Sequence, residues 1–294
     1  HYLSVDTYIW IIKHRFKSLN WMVWGSDLYQ LPFIDNNVLL PRTKAFLESH
    51  QIVNLKRSRS FWYKLKYKII TPFVYSKIDG IGTWMAPEYD FAKSNLPFVL
   101  RDPKYLYFRY PLNFNWKEVK LKAGALRPLR HKNPLIVLGN SGTYTNNHLD
   151  AIEILKGLSC KISLPLSYGD SKYIEKLQIL KKNDPKFTVL NKYLSFDEYM
   201  KFLIENDAVI INSLRPQAVG NIWLAMLVGK VIFINSENTL FGYLKSMGFD
   251  IYSTDDLINY EKCVTNFDPL VNVKQMEMNF SDAALDSTYL ELFK

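Results

Sequence analysis

From residue 135 onward the chain alternates short apolar, β-branched runs with helical patterns, and few folds accept that rhythm. Leu135-Ile136-Val137-Leu138 is apolar throughout and ends in Gly139-Asn140-Ser141-Gly142, after which Leu149, Ile152, Ile154 and Leu155 recur at helical spacing. The alternation continues with strands over Lys161–Leu166, Phe187–Leu190, Ala208–Ile211 and Val231–Ile234, and helices over Lys172–Leu180, Phe196–Ile204 and Val219–Val228. Strands without polar alternation are buried on both faces, so the pattern predicts parallel βαβ units in a doubly wound sheet. Ligands of such a sheet bind at the loops after the strands' carboxyl ends. Those loops are Gly139–Asn147, Ser167–Asp170, Asn191–Ser195, Asn212–Asn221 and Asn235–Asn238.

The preceding part has a different character. At 294 residues the chain is long enough for two domains. Residues 1–133 carry 22 Lys/Arg against 9 Asp/Glu, whereas 134–294 carry 15 against 19, a split of +13 and −4. Six of the seven tryptophans fall in the first part. This asymmetry divides the chain into a basic, aromatic domain over 1–133 and a Rossmann-like domain over 134–294. Hydrophobic residues at 48% and charged residues at 22% exclude a disordered or fibrous chain. Cys160 and Cys263 lie far from any CxxC spacing, which excludes a zinc ribbon or disulfide scaffold and fits a reducing, cytoplasmic compartment. No run approaches 18 apolar residues, so no spanning segment or signal peptide is expected. A start on His1 rather than Met reads as a fragment, with the first domain incomplete.

The loops are rich in Gly, Ser, Asn and Gln and poor in nucleophile–base pairs, which suits holding a ligand. Gly139, Asn140, Ser141 and Gly142 permit close backbone approach, and a helix opening near Asn147 would aim N–H groups at a diphosphate; a capped strand-to-helix turn is the other reading. The segment matches neither GxGxxG nor GxxxxGK[ST]. A second turn, from Arg215 through Gln217 to Gly220 and Asn221, opens another helix on the same crevice.

Several segments in order are similar to the bacterial TDP-N-acetylfucosamine:lipid II N-acetylfucosaminyltransferases, or 4-alpha-L-fucosyltransferases, of enterobacterial common antigen synthesis (glycosyltransferase family 56). They are Trp24-Gly25-Ser26-Asp27-Leu28-Tyr29, Leu138-Gly139-Asn140-Ser141-Gly142 with Asn146-Asn147-His148, Phe196-Asp197-Glu198-Tyr199, Gln217 with Gly220, Asn235-Ser236-Glu237-Asn238 and Thr254-Asp255-Asp256-Leu257. The resemblance covers most of residues 20–260. It implies an α/β fold of GT-B type, with two Rossmann-like domains facing a cleft, the C-terminal one binding a TDP- or UDP-linked sugar and the N-terminal one meeting a lipid-linked or glycan acceptor. The chain departs from the family in a basic insertion near Leu55–Phe73 and in Thr143-Tyr144, where an acidic residue is usual. No Asp-x-Asp motif occurs, in keeping with metal-independent GT-B chemistry and no cofactor.

Roles follow as expectations. Gly139, Asn140, Ser141, Gly142 and Asn147 would cradle the diphosphate with Gln217, Gly220 and Asn221 from the facing helix. Glu237 and Asn238 would hydrogen-bond a ribose or the donor sugar, or cap the next helix. Tyr193 would bracket the base. Asp27 is the candidate general base at the acceptor hydroxyl, or a turn cap. His148 would meet the diphosphate as a cation, or cap neighbouring groups.

Residues 55–70 place Phe61, Trp62, Leu65 and Ile69 on one helical stripe with Lys64, Lys66 and Lys68 among the remaining positions. This is the pattern of a helix lying on an anionic membrane, here the inner face of the cell membrane, or of an ordinary amphipathic helix packed on its domain. A nucleic-acid binder would also use the basic half, but it leaves the phosphate-type loops idle and lacks zinc, RRM or KH signatures. A non-catalytic sugar-nucleotide-binding protein would keep those loops without transfer.

Overall fold

The computed structural model describes residues 5–29, 38–52, 69–95, 102–110, 114–124, 126–281, 285–286 and 289–290. The basic stretch carrying Trp62, Lys64, Lys66 and Lys68 lies outside them. The chain forms two compact units, one from residues 1–36, 55–111 and 282–294 and the other from 37–54 and 112–281. It therefore passes between units several times rather than once near residue 133.

The smaller unit holds three parallel strands in the order β1 (Asn20–Met22), β2 (Gly80–Thr83) and β3 (Lys104–Tyr107). Its core joins Tyr8, Leu28, Val74, Tyr75, Ile78 and Ile81. Lys77 places its ammonium on the carbonyls of Ile11, Ile12 and His14, neutralising the negative end of the Val5–Lys13 helix where its last C=O groups lack partners.

The larger unit is the doubly wound sheet read from the sequence. Six parallel strands run β6-β5-β4-β7-β8-β9, with β4 Leu135–Leu138, β5 Lys161–Pro165, β6 Phe187–Leu190, β7 Ala208–Ile211, β8 Val231–Ile234 and β9 Tyr252–Ser253. Every residue of β7 and β8 is buried, as strands covered by helices on both faces must be. The order reverses between β4 and β7, and a crevice opens at the carboxyl end of such a switch.

Segment 37–54 joins this unit although its sequence shows no mark of it. The helix Pro41–Ser49 has no cap of its own: Leu40, at its N-cap, offers no polar side chain. The Asp150 carboxylate, on the helix His148–Ile154, accepts the N–H groups of Arg42 and Thr43 instead, both at 2.9 Å. A carboxylate there also meets the positive end of the helix dipole.

At the opposite, amino end of the sheet, Asp207 is fully buried. Its carboxylate accepts from the Leu135 N–H at 2.7 Å, the Arg130 N–H at 3.1 Å and Arg130 Nη1 at 2.9 Å, fixing the start of β4 to that of β7. Lys230 is buried close by, donates to the Ile204 carbonyl, and has its pKa pushed down to about 8 by burial. Asp207→Ala strands two backbone donors and the Arg130 guanidinium, so it should lower unfolding stability by about 3–5 kcal/mol. Asp207→Asn, which keeps one acceptor oxygen, should lose less. Urea unfolding of both variants checks this, and parent-like stability of Asp207→Ala would refute it.

Candidate functional site

A cavity of about 470 Å³ opens at the carboxyl ends of β4 to β7. Pro165 and Leu190, paired across β5 and β6, form its floor. Tyr168, Tyr193, Phe196 and Tyr199 supply aromatic wall, while Asn140, Ser167, Gly220 and Asn221 line a polar side. Tyr193 is 83% exposed, an unusual state for a large ring and one that leaves its face open to a planar partner. Among the described residues lining the cavity, Lys192 is the only charged one.

The Gly139–Gly142 turn is narrower as a cradle than its sequence suggests. Gly139 adopts φ +71°, and a Cβ there would stand 2.9 Å from His148 Nε2, so conformation and space both demand glycine. Its N–H donates to the Ile210 carbonyl, and the Gly142 N–H donates to Tyr168 O at 2.7 Å. These two donors are spent on the protein. The Asn140 and Ser141 N–H groups have no partner among the described residues. Gly142 packs tightly, since an added Cβ would fall 2.1 Å from Ile174 Cγ1. Asn140 Nδ2 donates to the Tyr168 hydroxyl at 3.0 Å, which fixes that ring at the cavity wall.

Across the crevice the helix Val219–Leu227 begins at Ala218, which sits in the left-handed region at φ 60° and gives no side-chain cap. No acidic residue occupies the first turn. Gly220 lines the cavity with nothing within 4 Å of where its Cβ would be. An uncapped helix start beside an open wall suits an anion. Gln217, just before it, uses its amide within the protein: Oε1 accepts from Thr145 Oγ1 and Nε2 donates to Asn146 Oδ1, each at 2.8 Å.

Several residues expected at the ligand turn out to build the scaffold. Asn147 is fully buried and left-handed, a conformation asparagine tolerates; its Nδ2 donates to the carbonyls of Val38 and Asn212 and its Oδ1 accepts from the Leu40 N–H. Asn238 is the N-cap of the helix Thr239–Ser246, its Oδ1 accepting from the Leu240 N–H while Nδ2 donates to the carbonyls of Ser213 and Arg215. Glu237 stays exposed, its N–H held by Asn235 Oδ1.

His148 is completely buried, with Nδ1 3.0 Å from the Tyr173 hydroxyl, and burial pushes its pKa down to about 3. It is a neutral packing group behind Gly139, so the reading of it as a cation on a diphosphate does not hold. In the smaller unit Asp27 is buried and takes the turn-holding role. Oδ1 accepts the N–H groups of Trp24 and Leu28, and Oδ2 accepts from Trp21 Nε1. Trp24 in turn stacks on Tyr110 with ring centroids 3.6 Å apart.

Tyr168, Lys192, Phe196 and Tyr199 line the cavity without having been assigned roles from the sequence. The signal available was their position, in or just after the loops that follow β5 and β6.

This sheet order, with a cavity at the strands' carboxyl ends, is the doubly wound one, and the solved structures of similar fold are GT-B glycosyltransferases. Sucrose-phosphate synthase from Thermosynechococcus elongatus is similar over 98% of this chain and 76% of its own, with TM-score 0.56 and 12% identity. HepE of Anabaena, in complex with UDP and glucose, is similar over 78% of this chain and 67% of its own, with TM-score 0.53 and 12% identity. Its complex with UDP-glucose matches at TM-score 0.53 and 13% identity over 78% and 68% of the two chains. The chain belongs to the 4-alpha-L-fucosyltransferase family, glycosyl transferase group 56, which it matches over residues 56–293. It is a glycosyltransferase.

The buried histidine has a measurable signature. Unfolded, His148 titrates near 6.5; folded, near 3. The unfolded chain therefore binds the extra proton first, so this group's share of stability is complete above pH 6.5 and is lost as pH falls toward 3. His148→Gln removes the titration, and its stability should fall less steeply on the acid side. At pH 4.5 the parent should have lost about 2–3 kcal/mol more than the variant relative to pH 7. Parallel acid limbs in urea unfolding would refute a neutral buried His148.

Proposed function

We propose that the cavity of the larger unit binds a nucleoside diphosphate sugar, TDP- or UDP-linked. The enzyme then transfers its deoxy-amino sugar to a lipid-linked or other glycan acceptor in bacterial surface polysaccharide synthesis. The observation that carries this is the cavity's two-sided lining: exposed aromatic rings for a base, and beside them an uncapped helix start with Gly220 open for phosphate. The UDP and UDP-glucose held by a protein of similar fold agree with it. In this reading the Asn140 and Ser141 N–H groups, which have no partner among the described residues, and the first turn of the Val219 helix face the diphosphate, and Tyr193 stacks on the base. Glu237 reaches the ribose or sugar, and Lys192 adds positive charge. The leaving diphosphate gains negative charge as the glycosidic bond breaks, and preorganised N–H donors oppose that charge with no reorganisation. Asp27 we assign to shaping the Trp24–Asp27 turn of the acceptor-meeting unit.

We further propose that the enzyme works as a peripheral protein at the inner face of the cell membrane, through the basic stretch 55–70. Ile69, at the end of that stretch, and Phe73, one helical turn beyond it, are 56% and 61% exposed. Among the described residues no helix is long and apolar enough to cross a membrane.

TDP or UDP should raise the melting temperature more than NAD, ATP or free sugars, contributing about 2.7 kcal/mol at 100 times Kd. No shift with any nucleoside diphosphate would sink the donor site. Gly220→Val is the clean probe, because its side chain enters open space: affinity should fall while stability stays near the parent's. Gly142→Val, by contrast, should damage packing against Ile174.

On the membrane side, changing Lys64, Lys66 and Lys68 to Glu should abolish salt-sensitive pelleting with anionic vesicles, each basic residue contributing about 1 kcal/mol. Nucleotide affinity should stay unchanged. Equal pelleting of parent and variant at low salt would remove this stretch as an anchor.

A further inference from the structure

We infer that Gln217 is a positioning residue for donor binding, acting as a bolt that holds one wall of the cavity without touching the ligand. The inference rests on the nucleotide reading of that cavity. Gly220, Asn221 and Leu224, on the first turns of the Val219 helix, form the wall. What fixes the start of that helix is unusual. Ala218 gives it no side-chain cap and occupies the left-handed region, which a residue with a Cβ adopts only at a cost.

Such a conformation persists only where neighbours enforce it. Gln217 is adjacent, and both ends of its amide are fastened to the loop after β4, to Thr145 Oγ1 and to Asn146 Oδ1. Asn146 is itself immobilised: fully buried, it donates from Nδ2 to the Ser141 and Thr143 carbonyls. The chain of bonds thus joins the two loops that flank the strand-order switch between β4 and β7. Losing the bolt would let residues 216–218 relax and the wall drift, lowering the fraction of molecules that can bind.

This account separates from direct contact by experiment. Calorimetry with TDP and UDP should show Gln217→Ala binding about tenfold more weakly than the parent. Thr145→Val, which removes one of the two fastenings and cannot itself reach a ligand through Gln217, should weaken binding in the same direction by less. Ala218→Gly removes the cost of the left-handed backbone, so in the Gln217→Ala background it should restore most of the lost affinity. In transfer assays Gln217→Ala should raise the donor KM with kcat within about twofold, the pattern of lost ground-state placement.

Unchanged affinity in Gln217→Ala, with the parent binding normally, overturns the inference. So does a Gln217→Ala loss that Ala218→Gly does not repair while Thr145→Val binds like the parent, since that is the behaviour of a direct ligand contact. Failure of the parent to bind any nucleoside diphosphate instead strikes the reading of the cavity itself.

Discussion

The carboxyl edge of the larger sheet depends on neutral amide side chains that donate and accept at once. Asn147 ties the loop after β4 to Val38, Leu40 and Asn212; Asn212 accepts from Asn235 after β8; Asn238 gathers Ser213 and Arg215; Gln217 clasps Asn146. Asn147, Asn212 and Asn238 meet backbone groups that would otherwise go unpaired, at a cost of about 1–3 kcal/mol apiece, while Gln217 pairs with side chains. None of these amides titrates, and through them the loops after β4, β7 and β8 behave as one surface.

That rigidity explains the composition of the cavity. A binding wall made of backbone N–H groups and ring faces is only as good as its placement, and here placement comes from amides lying behind the wall. The same logic accounts for His148, whose imidazole is kept neutral by burial and fills the space that Gly139 leaves. Charge is nearly absent from the cavity lining, where Lys192 stands among aromatic and amide groups. A charged ligand entering such a site meets oriented dipoles in a partly dry setting, where they count for more than they would in water.

The smaller unit uses its polar groups in the same way. Asp27 spends both carboxylate oxygens on the turn that presents Trp24, and Glu88, buried, accepts from Thr83 at the end of β2. Asp27, Asp79 and Glu88 thus hold turns and strand ends in shape.

From β4 to β8 the positions of the strands and of the helices between them were legible in the sequence alone, within a residue or two, because strands buried on both faces must be continuously apolar and their spacing admits only βαβ crossovers; β9 and the helices outside that span were not read from it. Also legible was the end of the sheet that carries the site, which follows from the handedness and direction of those crossovers. The allocation of polar side chains between ligand and scaffold was decided only by the tertiary structure. Asn147 and Asn140 are the same residue type seven positions apart, yet one is consumed by contacts 107 and 109 residues away and the other faces the cavity. The addition of 37–54 to the larger unit was hidden for the same reason, since the cap of its helix is Asp150, more than a hundred residues distant. Apolar periodicity is a local property and can be read locally. A hydrogen-bond partner is set by how loops far apart in sequence come together, and no local pattern carries that information.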